Sequence, residues 1–477
     1  MKLKYLFLSF VLIAFTGCDA DLDSMEGMPV FLDIDSGDAD FERYVAVGAS
    51  VTAGYTDNAL FQAGQMNSYP NIMASVMAHA DGGVFTQPYT NDNVGGLLLF
   101  GNQIAGPRLF FNGAGPAPVS GTPTTEVSDI MAGPYSNLGV PGAQALHLLA
   151  PGFGSMAAMM VGQANPYYVR MASSDGASVI GDALMQAPTF VSVFSGGNDA
   201  LGFAVSGGTS SLTDPAAFDF AFATTMAMLA SSGADGLVMN IPDVTALAFL
   251  NTVPYNSIPL DAGTAQMLNG GFAAYNGGLQ VFAMMGMISA AEAAARTIVF
   301  AAGQNAVTIE DDDLTDLSFF GVPSYRMATA NDKVVLTAAT FLGTTVGGNP
   351  TLINGVSVPL ANNWVLTASE VAEAQAAISS FNATIQGVTS QYGWAFWDAY
   401  AVLNQVVGPG LPMDDFVLTG DLVMGGLFSL DGVHPTARGN AVIAKLMLEA
   451  IDAHYGSNLS DVHLDIGDYP TNYPDGL

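Results

Sequence analysis

Short apolar runs recur at wide intervals along the chain, separated by stretches with helical spacing. Tyr44-Val45-Ala46-Val47, Phe190-Val191-Ser192-Val193-Phe194 and the run from Gly236 to Ile241 are each too short for a helix and apolar throughout, which predicts strands buried on both faces. Strands of that kind alternating with helices imply an α/β fold with a parallel sheet covered on both sides. Two helices are legible in detail. Thr367-Ala368-Ser369-Glu370 has the form of a capping box and opens a stretch in which Val371, Ala374, Ile378, Phe381 and Ile385 share one face. After Pro435, the residues Val442, Ile443, Leu446, Met447, Ala450 and Ile451 repeat at helical spacing, so His434 stands just ahead of a helix docked on the sheet.

Two long regions break this rhythm. The first, about Tyr55 to Ser136, is rich in Gly, Pro, Asn and Phe, as in Pro107 to Gly113, and reads mostly as loop. The second, about Asn251 to Asn363, mixes a helical stretch, Phe282 to Ala295, with β-like runs at Val334 to Thr337 and Leu352 to Pro359, and suits a small appended β subdomain or a lid. No repeat of fixed period is present.

The start of the chain has another character. Lys2 and Lys4, the apolar stretch Tyr5 to Phe15 and Thr16-Gly17-Cys18 read as a targeting segment whose apolar part is too short to span a bilayer. Cys18, the single cysteine, directly follows this leader and resembles the lipidated residue of a bacterial lipobox; the other reading is an ordinary cleaved signal peptide. Asp19 to Glu42 is acidic and lacks Lys and Arg, which suits an extended tether, with the folded part beginning near Arg43 and residues 456–477 as a C-terminal tail.

One cysteine excludes an internal disulfide, so stability must come from packing, which 50% hydrophobic residues permit. With 42 acidic against 10 basic residues the formal charge is −32, too negative for a nucleic-acid partner and consistent with a saline habitat. Asp33, Asp35, Asp38 and Asp40, and Glu310-Asp311-Asp312-Asp313, read as solvated charge; calcium is the lesser alternative, since neither run fits the twelve-residue calcium loop. The five His and one Cys offer no His-x-x-x-His or Cys-x-x-Cys spacing, so no metal site is expected.

Ser50 follows the strand at Tyr44 in Val47-Gly48-Ala49-Ser50, where a small-residue turn presents its hydroxyl at a strand end. Serine needs a base to take its proton, and Asp431-Gly432-Val433-His434-Pro435 supplies an imidazole with a carboxylate one turn behind it. His79, His147, His454 and His463 have no Asp three residues before and no Pro after, and read as surface or helix residues. No serine has Gly both two before and two after it, which disfavours the α/β-hydrolase elbow.

Between these ends lie Asn137-Leu138-Gly139-Val140-Pro141-Gly142 and Gly196-Gly197-Asn198-Asp199. The four blocks, in this order, resemble the GDSL or SGNH hydrolase family, although Ala49 and Val51 stand where its Gly-Asp-Ser-Leu has Asp and Leu. Ser68-Tyr69-Pro70, Asn240 to Thr245 and Asn305 to Glu310 are similar to stretches in lipoprotein members from Bacteroidetes-type bacteria. The resemblance implies a three-layer α/β/α sandwich over residues 43–455, with the two long regions as insertions. It implies Ser50 as nucleophile, His434 as base, Asp431 as its partner, and the oxyanion donors Ser50 N–H, Gly139 N–H and the Asn198 amide, with Asp199 bracing the turn. The expected activity is hydrolysis of carboxylic acyl esters without a cofactor by a protein lipid-anchored in the cell envelope, in the outer membrane. A carbohydrate acetyl esterase acting on polysaccharide is the alternative, and a glycan- or lipid-binding lipoprotein without catalysis the third reading. The Phe- and Met-rich segment Phe282 to Met287 favours an acyl-chain substrate, unless it simply packs its own insertion.

Overall fold

The computed structural model describes residues 33–477, so the leader, Cys18 and most of the acidic tether lie outside the described residues. Five strands form the central sheet: β1 (Tyr44–Gly48), β2 (Asn137–Gly139), β3 (Phe190–Phe194), β4 (Asp235–Met239) and β5 (Ala395–Trp397). All pairings are parallel, and the order across the sheet is β2-β1-β3-β4-β5. The chain therefore winds outward in opposite directions from β1 and β3, which leaves a crevice at their carboxyl ends where such sheets bind ligands.

Alternate residues of each strand enter different cores, because side chains of a strand point to opposite faces. Val45, Val47, Leu138, Val191, Val193 and Val238 join one cluster; Tyr44, Ala46, Phe190, Leu237, Met239 and Trp397 join the other. The first is covered by α4 (Gly197–Val205), α5 (Pro215–Ala230) and α8 (Ala368–Tyr392) among the helices α1 (Ser50–Ala53), α2 (Tyr69–Met77), α3 (Val179–Met185), α6 (Ala262–Met284), α7 (Ala290–Arg296), α9 (Ala399–Val407) and α10 (Ala437–Tyr455). The second is covered by α2 and α10. The two helices expected from spacing are present. Thr367 caps α8 with Glu370 completing the box, and Ala374, Ile378, Phe381 and Ile385 are its buried face.

The packed body is larger than the expected 43–455. It begins at Ile34: Phe41 is buried against Phe190, and Asp38 N–H donates to the Tyr455 carbonyl at 2.8 Å. Ala39 and Phe41, apolar residues inside an acidic stretch, hold it on the body. The C-terminal residues also pack down, since the fully buried Arg108 guanidinium donates to the carbonyls of Tyr473 and Pro474 and Tyr473 lies edge-on to Phe61.

The first long region is mostly loop, as its composition predicts, whereas the second differs from expectation. The first holds α2, which packs on α10 as part of a core layer, beside two short hairpins. The second is neither an appended subdomain nor detached from the sheet: Val307, Ile309, Val334, Val356 and Leu360 belong to the same core cluster as β1 and β3. Its helical stretch is broken, α6 ending at Met284 and α7 starting at Ala290, with Gly286 at φ +73° between them. Of the β-like run Val334 to Thr337 only Val334 is strand, as the second residue of the pair Lys333–Val334, the chain then winding into a 3-10 turn, and Leu352 to Pro359 forms turns with isolated bridges. In the run Glu310 to Asp313, Asp311 is buried and paired with Arg326, which departs from the expected solvated charge, while Asp312 and Asp313 are exposed as expected and bond to Asn362 and Ser369 at the surface. Among the described residues no group of three or more His, Cys, Asp or Glu is arranged to hold a metal, and no helix is long and apolar enough to cross a membrane.

Candidate active site

The loops that follow β1, β2, β3 and β4 meet at the crevice. Gly48 ends β1 under a tight constraint, because a Cβ there would lie 2.1 Å from Thr52 Oγ1 and 2.6 Å from the Phe194 carbonyl. The turn at Ala49 then sets Ser50 as the first residue of α1, where its N–H is one of the amides a helix leaves unpaired. Asn137 holds this short helix to β2, its amide donating to the Thr52 carbonyl at 2.9 Å.

From the far end of the chain comes the loop Ser429 to Pro435, closed by Ser429 N–H donating to the His434 carbonyl at 2.8 Å. Gly432 sits at φ +73°, where a Cβ would press on the Phe249 backbone. Asp431 Oδ1 accepts from the N–H groups of Val433 and His434, and its Oδ2 lies 2.8 Å from His434 Nδ1. His434 Nε2 is 2.9 Å from Ser50 Oγ. The three expected residues are thus in one line, with Ser50 8% exposed. Burial alone raises the Asp431 carboxyl, but the adjacent imidazole and the two backbone donors outweigh it and bring it down to about 2. Asp431 therefore stays charged and orients the ring by Nδ1, which leaves Nε2 toward the serine.

Asn198 opens α4 beside Ser50, after Gly196 at φ +102°, where a Cβ would collide with Phe218 and Ile241. Its amide donates to the Ala143 carbonyl at 2.9 Å, and the second N–H of that group is left for another acceptor. Asp199 braces the same turn, accepting from Ala145 N–H at 2.9 Å.

Gly139 departs from expectation. It is buried in β2, its N–H donates to Asn137 Oδ1 at 2.9 Å, and a Cβ would lie 2.2 Å from Ala53 N, so it is the close-packing point of the strand against the short helix α1 that carries Ser50. Three residues on, Gly142 is exposed at φ +81° in the turn closed by Ala143 N–H to the Val140 carbonyl, and its own N–H has no acceptor among the described residues. The Pro141-Gly142 pair, which fits a type II turn, was the sequence signal for this position.

The cleft at Ser50 measures about 70 Å³ and is lined by Phe194, Leu201, Pro242, Val244, Leu247 and Val433 besides the polar residues. An apolar cavity of about 100 Å³ adjoins it through Val51, Phe194, Pro242, Leu247 and Val433, and extends to Trp397, Leu403 and Phe428. The segment Asn240 to Leu247 is therefore a wall of the site, a role its sequence did not disclose. Tyr55, equally unsignalled, packs its ring 4.7 Å from that of His434. The other described histidines are elsewhere: His147 stacks on Phe153, and His454 bonds to the Gly393 carbonyl. In comparisons with protein-family models, curated proteins and solved structures, nothing matches the chain.

Proposed function

We propose that the protein is an exported serine ester hydrolase of the GDSL/SGNH type, cleaving carboxylic acyl esters through an acyl-enzyme on Ser50. The observation that carries this reading is the unbroken line from Asp431 through His434 to Ser50, at 2.8 and 2.9 Å. The parallel sheet with helices on both faces is consistent with the three-layer sandwich of that family.

In this mechanism Ser50 Oγ attacks the ester carbonyl while His434 Nε2 takes its proton, and the protonated ring then gives it to the departing alkoxide. Water repeats the cycle on the acyl-enzyme. The charge on the tetrahedral oxygen falls to Ser50 N–H, the Asn198 amide and, in place of Gly139, the unpaired N–H of Gly142. No cofactor enters these steps.

The acyl part fits the apolar cavity next to Ser50. That ground replaces the Phe282 to Met287 segment, which lines neither this cavity nor the cleft; Met284 and Met285 are exposed and Phe282 packs on Phe320. A second reading, deacetylation of a polysaccharide, is favoured by one observation. Across the Pro242 to Leu247 wall opens a polar cleft of about 760 Å³ presenting Asp243, Asn251, Asn331, Lys333, Gln375 and Asp421.

Chromogenic esters of increasing acyl length, assayed beside an acetylated polysaccharide, separate the two: kcat/KM should rise beyond acetate and then fall as the cavity fills. Preference for the acetylated polymer would move the assignment to the second reading, and no turnover of either would leave a binding protein. Ser50→Ala and His434→Ala should each abolish nearly all turnover, the double variant being little worse than either, because the pair acts as a unit. The lipid anchor at Cys18 is part of this proposal; Cys18→Ser protein that stays with the membrane after leader cleavage would refute it.

A further inference from the structure

The nucleophile and its base lie 384 residues apart in sequence, so something besides their own hydrogen bond must hold them in register. The residues immediately after the nucleophile helix do so. Tyr55 N–H donates to the Ser50 carbonyl at 2.9 Å, and the next three residues all reach the loop that carries the base. Thr56 Oγ1 donates to the Pro435 carbonyl at 2.9 Å. Asp57 N–H donates to Ser429 Oγ at 3.1 Å, while Asp57 Oδ1 accepts from Leu430 N–H at 3.0 Å. Asn58 N–H donates at 2.9 Å to Asp431 Oδ2, the same oxygen that faces His434 Nδ1. Tyr55 returns to close the segment, its hydroxyl donating to the Asn58 carbonyl at 2.6 Å while its ring lies on His434.

Two further observations single out Asp57. It is 1% exposed, and behind it Leu109 N–H donates to its carbonyl, next to the buried Arg108. Asp57 and Asn58 also sit at φ +50° and +65° as the two central residues of a tight turn closed by paired Thr56 and Ala59 backbones, a geometry Asp and Asn adopt readily and one that fixes where the Asp57 carboxyl and the Asn58 N–H point.

Resting on the ester-hydrolase reading, we propose that the segment Tyr55 to Asn58, with Asp57 at its centre, positions the Asp431–His434 pair against Ser50. Asp57 touches no reacting atom. It fixes the backbone at Leu430, one residue before Asp431, and the left-handed turn it begins delivers the Asn58 N–H to the Asp431 carboxylate.

The test uses the full chain and two readouts: ester kinetics, and the low-field proton resonance of the imidazole N–H shared with Asp431, which needs no substrate. Asp57→Ala leaves Leu430 N–H buried without an acceptor and should lower kcat roughly ten- to a hundred-fold at unchanged KM, with loss or broadening of the resonance. Asp57→Asn keeps an acceptor oxygen and should restore most of both. Wild-type kcat and resonance in folded Asp57→Ala protein, even with a lowered melting temperature, would overturn the proposal. If Asp57→Ala does not fold, Tyr55→Phe and Thr56→Val, each removing one bond of the segment, carry the test. A lower kcat at unchanged KM supports it, and wild-type kcat in both overturns it. Should the wild-type protein hydrolyse no ester, the enzymatic reading alone fails, and the resonance still decides whether Asp57 holds the pair.

Discussion

Asp431 and Asp57 touch the same loop, yet their protons act on stability in opposite senses. Asp431, held down to about 2, is charged more readily in the folded chain than in the unfolded one, so its contribution is full above about pH 4 and is lost as pH falls toward 2. Asp57 is pushed up to about 7, chiefly by burial and also by the Asp431 charge, against the pull of the Leu430 N–H and of Arg108. Its folded form keeps a proton that the unfolded chain releases near pH 4, so stability declines as pH rises from about 4 to 7. Asp57→Asn should flatten that decline in thermal melts taken across this range; an unaltered slope would assign the effect to other groups. Asn198 poses a different question, since its amide both faces the cleft and ties down Ala143. Asn198→Ala should reduce kcat by about 10²–10³ with KM nearly unchanged, as for removal of one oxyanion donor. A lower melting temperature with an unchanged rate per titrated serine would make it scaffold only.

Elements are placed by their ends as much as by their faces. The N-terminus of α8 has a reciprocal cap, Thr367 Oγ1 accepting from Glu370 N–H and Glu370 Oε2 accepting from Thr367 N–H at 2.7 Å. Thr367→Ala should cost about 1 kcal/mol in chemical denaturation, and leave kcat unchanged because α8 lines neither the cleft at Ser50 nor the apolar cavity beside it. This cap and the buried face of α8 were legible in sequence because both depend only on residues three and four apart. The break between α6 and α7 was not foreseen from the apolar run alone. Gly286 and the Ser289 cap, accepting from Glu292 N–H, end one helix and start the next.

Across the whole molecule, a charge of −32 makes the folded state repel itself, and salt screens that repulsion over distances that shrink from about 10 Å at 0.1 M to about 3 Å at 1 M. The melting temperature should therefore rise by several degrees between those concentrations of sodium chloride. A fall would mean that pairs such as Arg326 with Asp311 and Asp332, screened in the same way, outweigh the general repulsion.

The sequence alone determined the strands β1, β3 and β4, the helices α8 and α10, and the identity of Ser50, Asp431 and His434. Strand burial, helical spacing and an Asp-x-x-His turn are local patterns, each contained within a few residues. Only the tertiary structure decided the rest. It made Gly139 a packing point and left Gly142 with the unpaired amide, because which N–H is free depends on where Asn137 and Ala53 come to lie. It brought Ile34 to Phe41 and Tyr473 into the body, since a few apolar side chains find partners hundreds of residues away. It set Tyr55 to Asn58 against Ser429 to Pro435, contacts at separations above 370 residues that no spacing along the chain encodes.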